Sequence, residues 1–330
     1  MEYRFLGNTG VRVSELCYGT MSFGGDADEA MSAKLYSTCR DAGINFFDCA
    51  DVYAGGASER ILGTLMAGER DELVITSKVY FPTSEGPNSR GSSRYHIVRA
   101  VEGSLKRLNT DRIDLYFLHR FDDVTPLEES LRALDDLVRS GKVLYLGVSN
   151  FAAWQVAKAN GIAALHALAP IACLQPMYNL VKRQAEVEIL PMAASEKLGV
   201  ISYSPLGGGL LSGKYSTTSR PDAGRLVENE MYQTRYGGRE VFEAAEEFTA
   251  LAQELGVHPA SLALRWVSSH PSITAPIAGA RNTDQLSAAL ASVDIPMDHE
   301  LRARISAITP APSPATDRSE ETEGVSYGAR

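Results

Sequence analysis

The stretch LRALDDLVRSGKVLYLGVSN, residues 131–150, holds a helix, a turn and a strand in succession. Its first half places apolar residues at 131, 134, 137 and 138, with 127 just upstream, the spacing of one buried helical face. Ser140-Gly141 follows, and glycine there ends a helix in the left-handed conformation that other residues adopt only at a cost. VLYLGVS is then apolar almost without alternation, as in a strand of a parallel sheet buried on both faces. The same order recurs, with DAG at 41–43 before INFFD and KLG at 197–199 before VISYSP.

Working outward, eight β-rich runs appear at 16–19, 46–49, 73–79, 113–119, 143–149, 171–175, 200–204 and 274–278. Most begin about 30 residues apart, the length of one βαβ unit. Helical periodicity fills the gaps, as at 97, 98, 101, 105 and 108 and at 242, 245, 248, 251 and 255. Eight strands each followed by a helix predict an α/β fold of the (β/α)8 TIM barrel type. Residues 3–13, with a Gly7-Asn8-Thr9-Gly10 turn, predict an N-terminal β-hairpin capping the barrel bottom. Two longer spacings hold a Gly/Pro/Ser-rich insert at 81–92, and a loop at 206–238 followed by extra C-terminal helices around 241–255 and 259–269. Residues 1–310 read as one barrel domain, and 311–330, rich in Pro, Ser, Thr and Glu, as a flexible tail.

Composition narrows the function classes. The chain has 330 residues and a net charge of −9, from 32 basic and 41 acidic side chains. An acidic surface repels phosphate backbones, so nucleic acid is not an expected partner. The apolar stretch 162–174 is too short for a membrane span, and the N-terminus lacks a signal-peptide core. Cysteines 17, 39, 49 and 173 form no CxxC pair, and the six histidines show no metal-ligand spacing. A cytoplasmic protein without a metal is expected, as a monomer or a homo-oligomer.

In such a barrel the chemistry sits at the C-terminal ends of the strands. The second strand ends in Asp48, with Tyr53 just beyond; the third ends near Lys78, and the fourth at His119. Singly, each has an ordinary role as a cap, a packing residue or a solvated cation. Together at adjacent strand ends they make a proton donor. A free phenol titrates near ~10, too high for an efficient acid. An ammonium from Lys78 is expected to pull Tyr53 down, with Asp48 holding Lys78 and His119 orienting a carbonyl oxygen.

At these residues the sequence resembles the aldo-keto reductase superfamily, whose Asp, Tyr, Lys, His tetrad is matched by Asp48, Tyr53, Lys78 and His119. GTM at 19–21, FFDCADVY at 46–53, TSKV at 76–79, GVSNF at 147–151, LQPMYN at 174–179, YSPLGGGLLSGKY at 203–215 and PIAGARNTDQL at 276–286 carry the likeness over about 1–310. RGSSRYHI at 90–97 is similar to the branch of aryl-alcohol dehydrogenases and potassium-channel β subunits.

The resemblance implies an NADPH-dependent enzyme that reduces an aldehyde or ketone to an alcohol, reversibly, with a small-molecule carbonyl substrate. It assigns Ser149, Asn150 and Gln175 to the nicotinamide carboxamide and Tyr203 to the face of the ring. Ser204, Pro205, Leu206, Gly208 and Lys214 follow the pyrophosphate, with Arg225 as a second phosphate partner. Gly19, Thr20, Met21 and Gly279 complete the cofactor set together with Asp48. Arg281 and Gln285 stand at the adenosine end, where a guanidinium suits a 2′-phosphate. Ala288 and Ala289 replace the Glu-Asn usual in the family. No G-x-G-x-x-G occurs, in keeping with cofactor binding outside the Rossmann pattern. Met21, Phe23, Val52, Tyr80 and Phe81 are expected to wall the substrate. Two other readings are a nicotinamide-sensing regulatory subunit and a Schiff-base aldolase using Lys78, the latter opposed by the charge Asp48 would keep on the amine.

Overall fold

The computed structural model describes residues 1–316. Ten strands form: β1 (Tyr3–Phe5), β2 (Arg12–Ser14), β3 (Cys17–Gly19), β4 (Phe46–Asp48), β5 (Val74–Val79), β6 (Ile113–Leu118), β7 (Val143–Ser149), β8 (Ile171–Gln175), β9 (Gly199–Ser202) and β10 (Ala275–Ala278). β1 and β2 pair antiparallel, and β3 to β10 close a parallel barrel in chain order. The expected TIM barrel with its N-terminal hairpin is present, each strand within a residue or two of its predicted limits.

Helices alternate with the strands: α1 (Glu29–Asp41), α2 (Ala57–Leu65), α3 (Arg94–Leu108), α4 (Leu127–Arg139), α5 (Ala153–Leu165) and α6 (Ile189–Ser195). Beyond β9 come α7 (Arg225–Glu228), α8 (Glu230–Tyr236), α9 (Arg239–Glu254) and α10 (Pro259–Ser268), then α11 (Thr283–Leu290) and α12 (His299–Ser306). The 206–238 segment is therefore not all loop, since α7 and α8 lie within it. Among the described residues no helix is long and apolar enough to cross a membrane. The tail expected over 311–330 lies mostly outside the described residues.

Strand side chains alternate between the barrel interior and the helices. Cys17, Phe46, Leu115, Phe117, Cys173, Ile201 and Ala275 form one buried interior cluster, closed at its base by Leu6 and Val13 of the hairpin. Their neighbours Tyr18, Phe47, Tyr116, Leu118, Leu174 and Val200 belong to the larger core between strands and helices. This phase positions the site. Asp48 has the parity of Phe46, Gln175 that of Cys173, and His119 that of Phe117.

Glycines between and within these elements meet two different needs, a left-handed turn and a close approach. Gly43 and Gly141 adopt positive φ, as the helix–glycine–strand pattern predicts. At 197–199 the left-handed residue is Lys197 instead. Gly199 is needed for space, because a Cβ there would fall 2.7 Å from Leu6 Cδ1 of the hairpin plug. Gly147 pairs with Phe117, and a Cβ on it would lie 2.4 Å from that ring. Gly147→Ala is expected to cost about 1–3 kcal/mol by overpacking the interior, measured by urea denaturation.

Candidate active site

The sharpest local feature follows β4. Ala54, Gly55 and Gly56 take left-handed φ in succession, turning the chain directly after Tyr53. Gly56 has no room for a Cβ, which would meet Arg107 Cδ at 2.8 Å. Behind the turn, Arg107 Nε donates to the buried Glu59 Oε2 at 2.6 Å, and Ser77 Oγ donates to Glu59 Oε1 at 2.6 Å.

Asp48 and Lys78 meet inside the barrel mouth. Lys78 Nζ donates to Asp48 Oδ2 at 2.6 Å, to the Cys49 carbonyl at 2.8 Å and to the Tyr53 hydroxyl at 3.3 Å. Lys78 is fully buried, so three acceptors replace its water. Thr76 Oγ1 and Gln175 Nε2 each donate to Asp48 Oδ1 at 2.8 Å. Burial disfavours the Lys78 charge, but Asp48 and Tyr53 outweigh it and hold the pKa above the ordinary lysine value. A permanently charged amine is a poor Schiff-base nucleophile.

Tyr53 departs from expectation. Burial raises its pKa to about 12, overriding the opposite pull of Lys78. The phenol therefore keeps its proton at neutral pH, while the adjacent ammonium is placed to stabilise the phenolate once that proton leaves. Burial and the Lys78 charge together lower His119 to about 3, so its imidazole is neutral. Its Nδ1 is buried without a hydrogen-bond partner among the described residues, leaving Nε2 as the nitrogen for a ligand. The His119 ring stands edge-on to Tyr53 at 6.2 Å and to Phe81 at 5.0 Å between centroids.

The residues assigned to the carboxamide gather at the next strand ends. Asn150, at φ 57°, donates from Nδ2 to the His119 carbonyl and to Ser149 Oγ, and accepts on Oδ1 from the Tyr203 hydroxyl at 2.7 Å. Ser149 Oγ donates to the Gln175 carbonyl. Thr20 is buried and donates to the Asp48 carbonyl at 3.0 Å, bracing β4 from β3, while Met21 is exposed. Gly279 is exposed, with Gly19 O the nearest atom to a Cβ built on it, at 4.0 Å.

A second group forms a cationic end. Ser204 adopts φ 55°, Pro205 is buried, Leu206 is half-buried, and Gly207, Gly208 and Gly209 are all left-handed. A Cβ on Gly208 would fall 2.5 Å from the Tyr232 ring. Burial and the charges of Arg281 and Arg225 lower the Lys214 pKa, so these cations of the set gather close enough to repel. Arg281 has Asp26 Oδ2 at 3.8 Å, and Gln285 Oε1 accepts from the Arg281 backbone N–H at 3.0 Å. Ala289 is buried against Leu264 and Ala278.

The substrate wall needs one correction. Phe23 is fully buried, 5.7 Å from the Tyr18 ring, and is core rather than wall. It follows the short turn Thr20–Ser22 and joins the core between strands and helices. Val52, Tyr80 and Phe81 are half-buried near the tetrad, Tyr80 lying 5.3 Å from Phe81. Sequence reading missed Thr76, although it shares the inward phase of Lys78 and pairs in register with Asp48. It also missed Asp51, whose two oxygens are buried without side-chain hydrogen-bond partners among the described residues.

Burial, reinforced by Glu59 and opposed by Arg107, raises Asp51 to about 7. An unfolded aspartate titrates near 3.9, so between about pH 4 and pH 7 the folded chain holds a proton that the unfolded chain has released. Stability from this group is present below that window and is lost as pH rises through it, at about 1.4 kcal/mol per pH unit. Asp51→Asn should remove that slope, read from urea denaturation of both proteins across pH 4–8.

Comparisons with known proteins agree with this geometry. The family model described as the aldo/keto reductase family matches residues 15–310. An uncharacterized oxidoreductase of Bacillus subtilis, YrpG, is 42% identical over 334 residues, covering 96% of this chain and 98% of that one. A probable voltage-gated potassium channel subunit beta of Oryza sativa subsp. japonica is 38% identical, covering 89% and 92%. Its counterpart in Arabidopsis thaliana is 36% identical over the same shares. With this family match over most of its length and the tetrad assembled at the barrel mouth, the chain belongs to the aldo/keto reductase family.

Proposed function

We propose that this protein is an NADPH-dependent oxidoreductase that reduces an aldehyde or ketone to an alcohol, reversibly. The observation that carries the reading is the Lys78 ammonium held between Asp48 at 2.6 Å and the Tyr53 hydroxyl at 3.3 Å, beside a neutral His119. Nicotinamide cofactors are general in the family, and this chain's residues fit one. Lys214, Arg225 and Arg281 crowd together without enough carboxylate among the described residues to neutralise them, beside the left-handed run Gly207–Gly209. When bound, the cofactor supplies hydride.

The chain's own residues do the rest. His119 donates from Nε2 to the substrate oxygen and orients the carbonyl. Tyr53 gives its proton to that oxygen as negative charge develops there. Lys78 stabilises the phenolate left behind, and Asp48, held by Thr76 and Gln175, fixes Lys78. Phe81 and Tyr80 shield the oxygen from water.

The reading is tested by following NADPH and NADH oxidation with aryl aldehydes, sugar aldehydes, keto-sugars and pyridoxal. Turnover that disappears in Tyr53→Phe supports it, and no turnover with any member of the panel refutes it. Arg281→Ala is expected to weaken NADPH binding about tenfold and NADH binding much less, since a charge-assisted contact is worth about 1.5–3 kcal/mol. Fluorescence titration with each cofactor measures this. The likeness to the plant channel subunits supports a second reading, a nicotinamide-sensing regulatory subunit. Tight NADPH binding with negligible turnover distinguishes it.

A further inference from the structure

A cavity of about 380 Å³ opens beside the reaction site. That size is within the range of small-molecule pockets. None of Asp48, Tyr53, Lys78 or His119 lines it. Its apolar wall is Phe151, Pro176, Met177 and Ile189, and Phe121 backs Phe151 at 5.2 Å between ring centroids.

Its charge is one-sided. Lys182 and Arg235 both line the cavity and are half-buried, and among the described residues no Asp or Glu lines it. They come from distant parts of the chain, the segment after β8 and the helix α8. The neighbouring Arg183 is neutralised by Glu186 at 2.8 Å, outside the lining. Arg235 packs over the Tyr232 ring at 5.4 Å, and among the described residues neither lining cation has an ion-pair partner. Two partly desolvated cations facing one apolar cavity are complementary to a single anion with an apolar body. Asn150 and Tyr203 form the wall shared with the reaction site.

We propose that this cavity is a second ligand site for a small organic acid. Its carboxylate sits between Lys182 and Arg235, and its aromatic or aliphatic body lies against Phe151, Met177 and Ile189. This site stands independently of the carbonyl-reductase reading, because its ligand carries no reducible carbonyl and its binding needs no turnover.

The test is calorimetric titration of the full chain, saturated with NADPH, with phenylacetate, hexanoate and the neutral isostere phenylacetamide. Millimolar or tighter binding of an acid, with phenylacetamide at least about tenfold weaker, is expected. Arg235→Gln and Lys182→Gln should each weaken the acid about tenfold with unchanged melting temperature, and Arg235→Lys should restore much of the loss. Tyr53→Phe should leave acid binding intact. Equal binding of phenylacetamide, or no binding of either acid, overturns the proposal. So does loss of binding in Lys214→Gln with retention in Arg235→Gln, which places the acid at the other cationic end. If the Gln variants fail to fold, the acid-to-amide comparison on the unaltered chain decides alone.

Discussion

Replacing Tyr53 with phenylalanine is expected to lower kcat for carbonyl reduction by about 10²–10⁴-fold, the usual contribution of a positioned general acid. The NADPH dissociation constant should hardly change, because among the described residues the hydroxyl's only side-chain hydrogen-bond partner is Lys78. Lys78 keeps Asp48 and the Cys49 carbonyl when the phenol oxygen is removed, so no buried charge is stranded. Melting temperature should therefore stay near that of the unaltered chain. Steady-state kinetics with fluorescence titration separates the two effects, since a contact made only in the transition state lowers kcat and kcat/KM together. A variant with near-native kcat would refute the role given to Tyr53.

Lys78→Met should do more damage of a different kind. The amine is the cation of a buried pair, and removing it leaves the Asp48 carboxylate 3% exposed with only Thr76 and Gln175 as neutral donors. Breaking such a pair from one side costs about 3–5 kcal/mol. The expected result is a large drop in urea midpoint together with loss of turnover. Asp48→Asn combined with Lys78→Met should recover much of that stability and none of the activity, because the stranded charge is gone but the phenolate is still unsupported. Urea denaturation of the two single variants and the double variant gives the coupling directly. Additive losses would show that the pair contributes little to holding the mouth together.

Strand positions were readable because strands covered on both faces carry apolar residues at nearly every place, as in VLYLGVS. The tetrad was readable because three of its members end consecutive strands. What could not be read depended on tertiary distances. Burial decides the Tyr53 pKa, and nothing in FFDCADVY says how deep the phenol lies. Phe23 looked like part of a loop wall until the turn after β3 drove it against Tyr18. Gly199 fits a helix stop, yet the reason for it is a hairpin almost two hundred residues away in sequence. The helix α8 carries little periodic signal, and its start rests on the Asn229 side chain accepting from the Met231 and Tyr232 backbone N–H groups. Lys182 and Arg235 line one cavity that no local pattern announces.

The in-and-out phase of the barrel strands separates two kinds of sequence change. Asp48, Thr76, Lys78 and Gln175 meet because three strands, β4, β5 and β8, each present alternate residues inward, and the register between neighbours locks that phase. Inserting one residue into β5 between Thr76 and Lys78 would turn the lysine toward the helices and bring an apolar side chain into the mouth. The segments 81–92 and 206–238 lie between strands, so lengthening or shortening them alters no strand's phase. A lineage can thus reshape the rim over many length changes while the proton-transfer apparatus stays in place, whereas a single-residue slip inside a strand removes that apparatus at once.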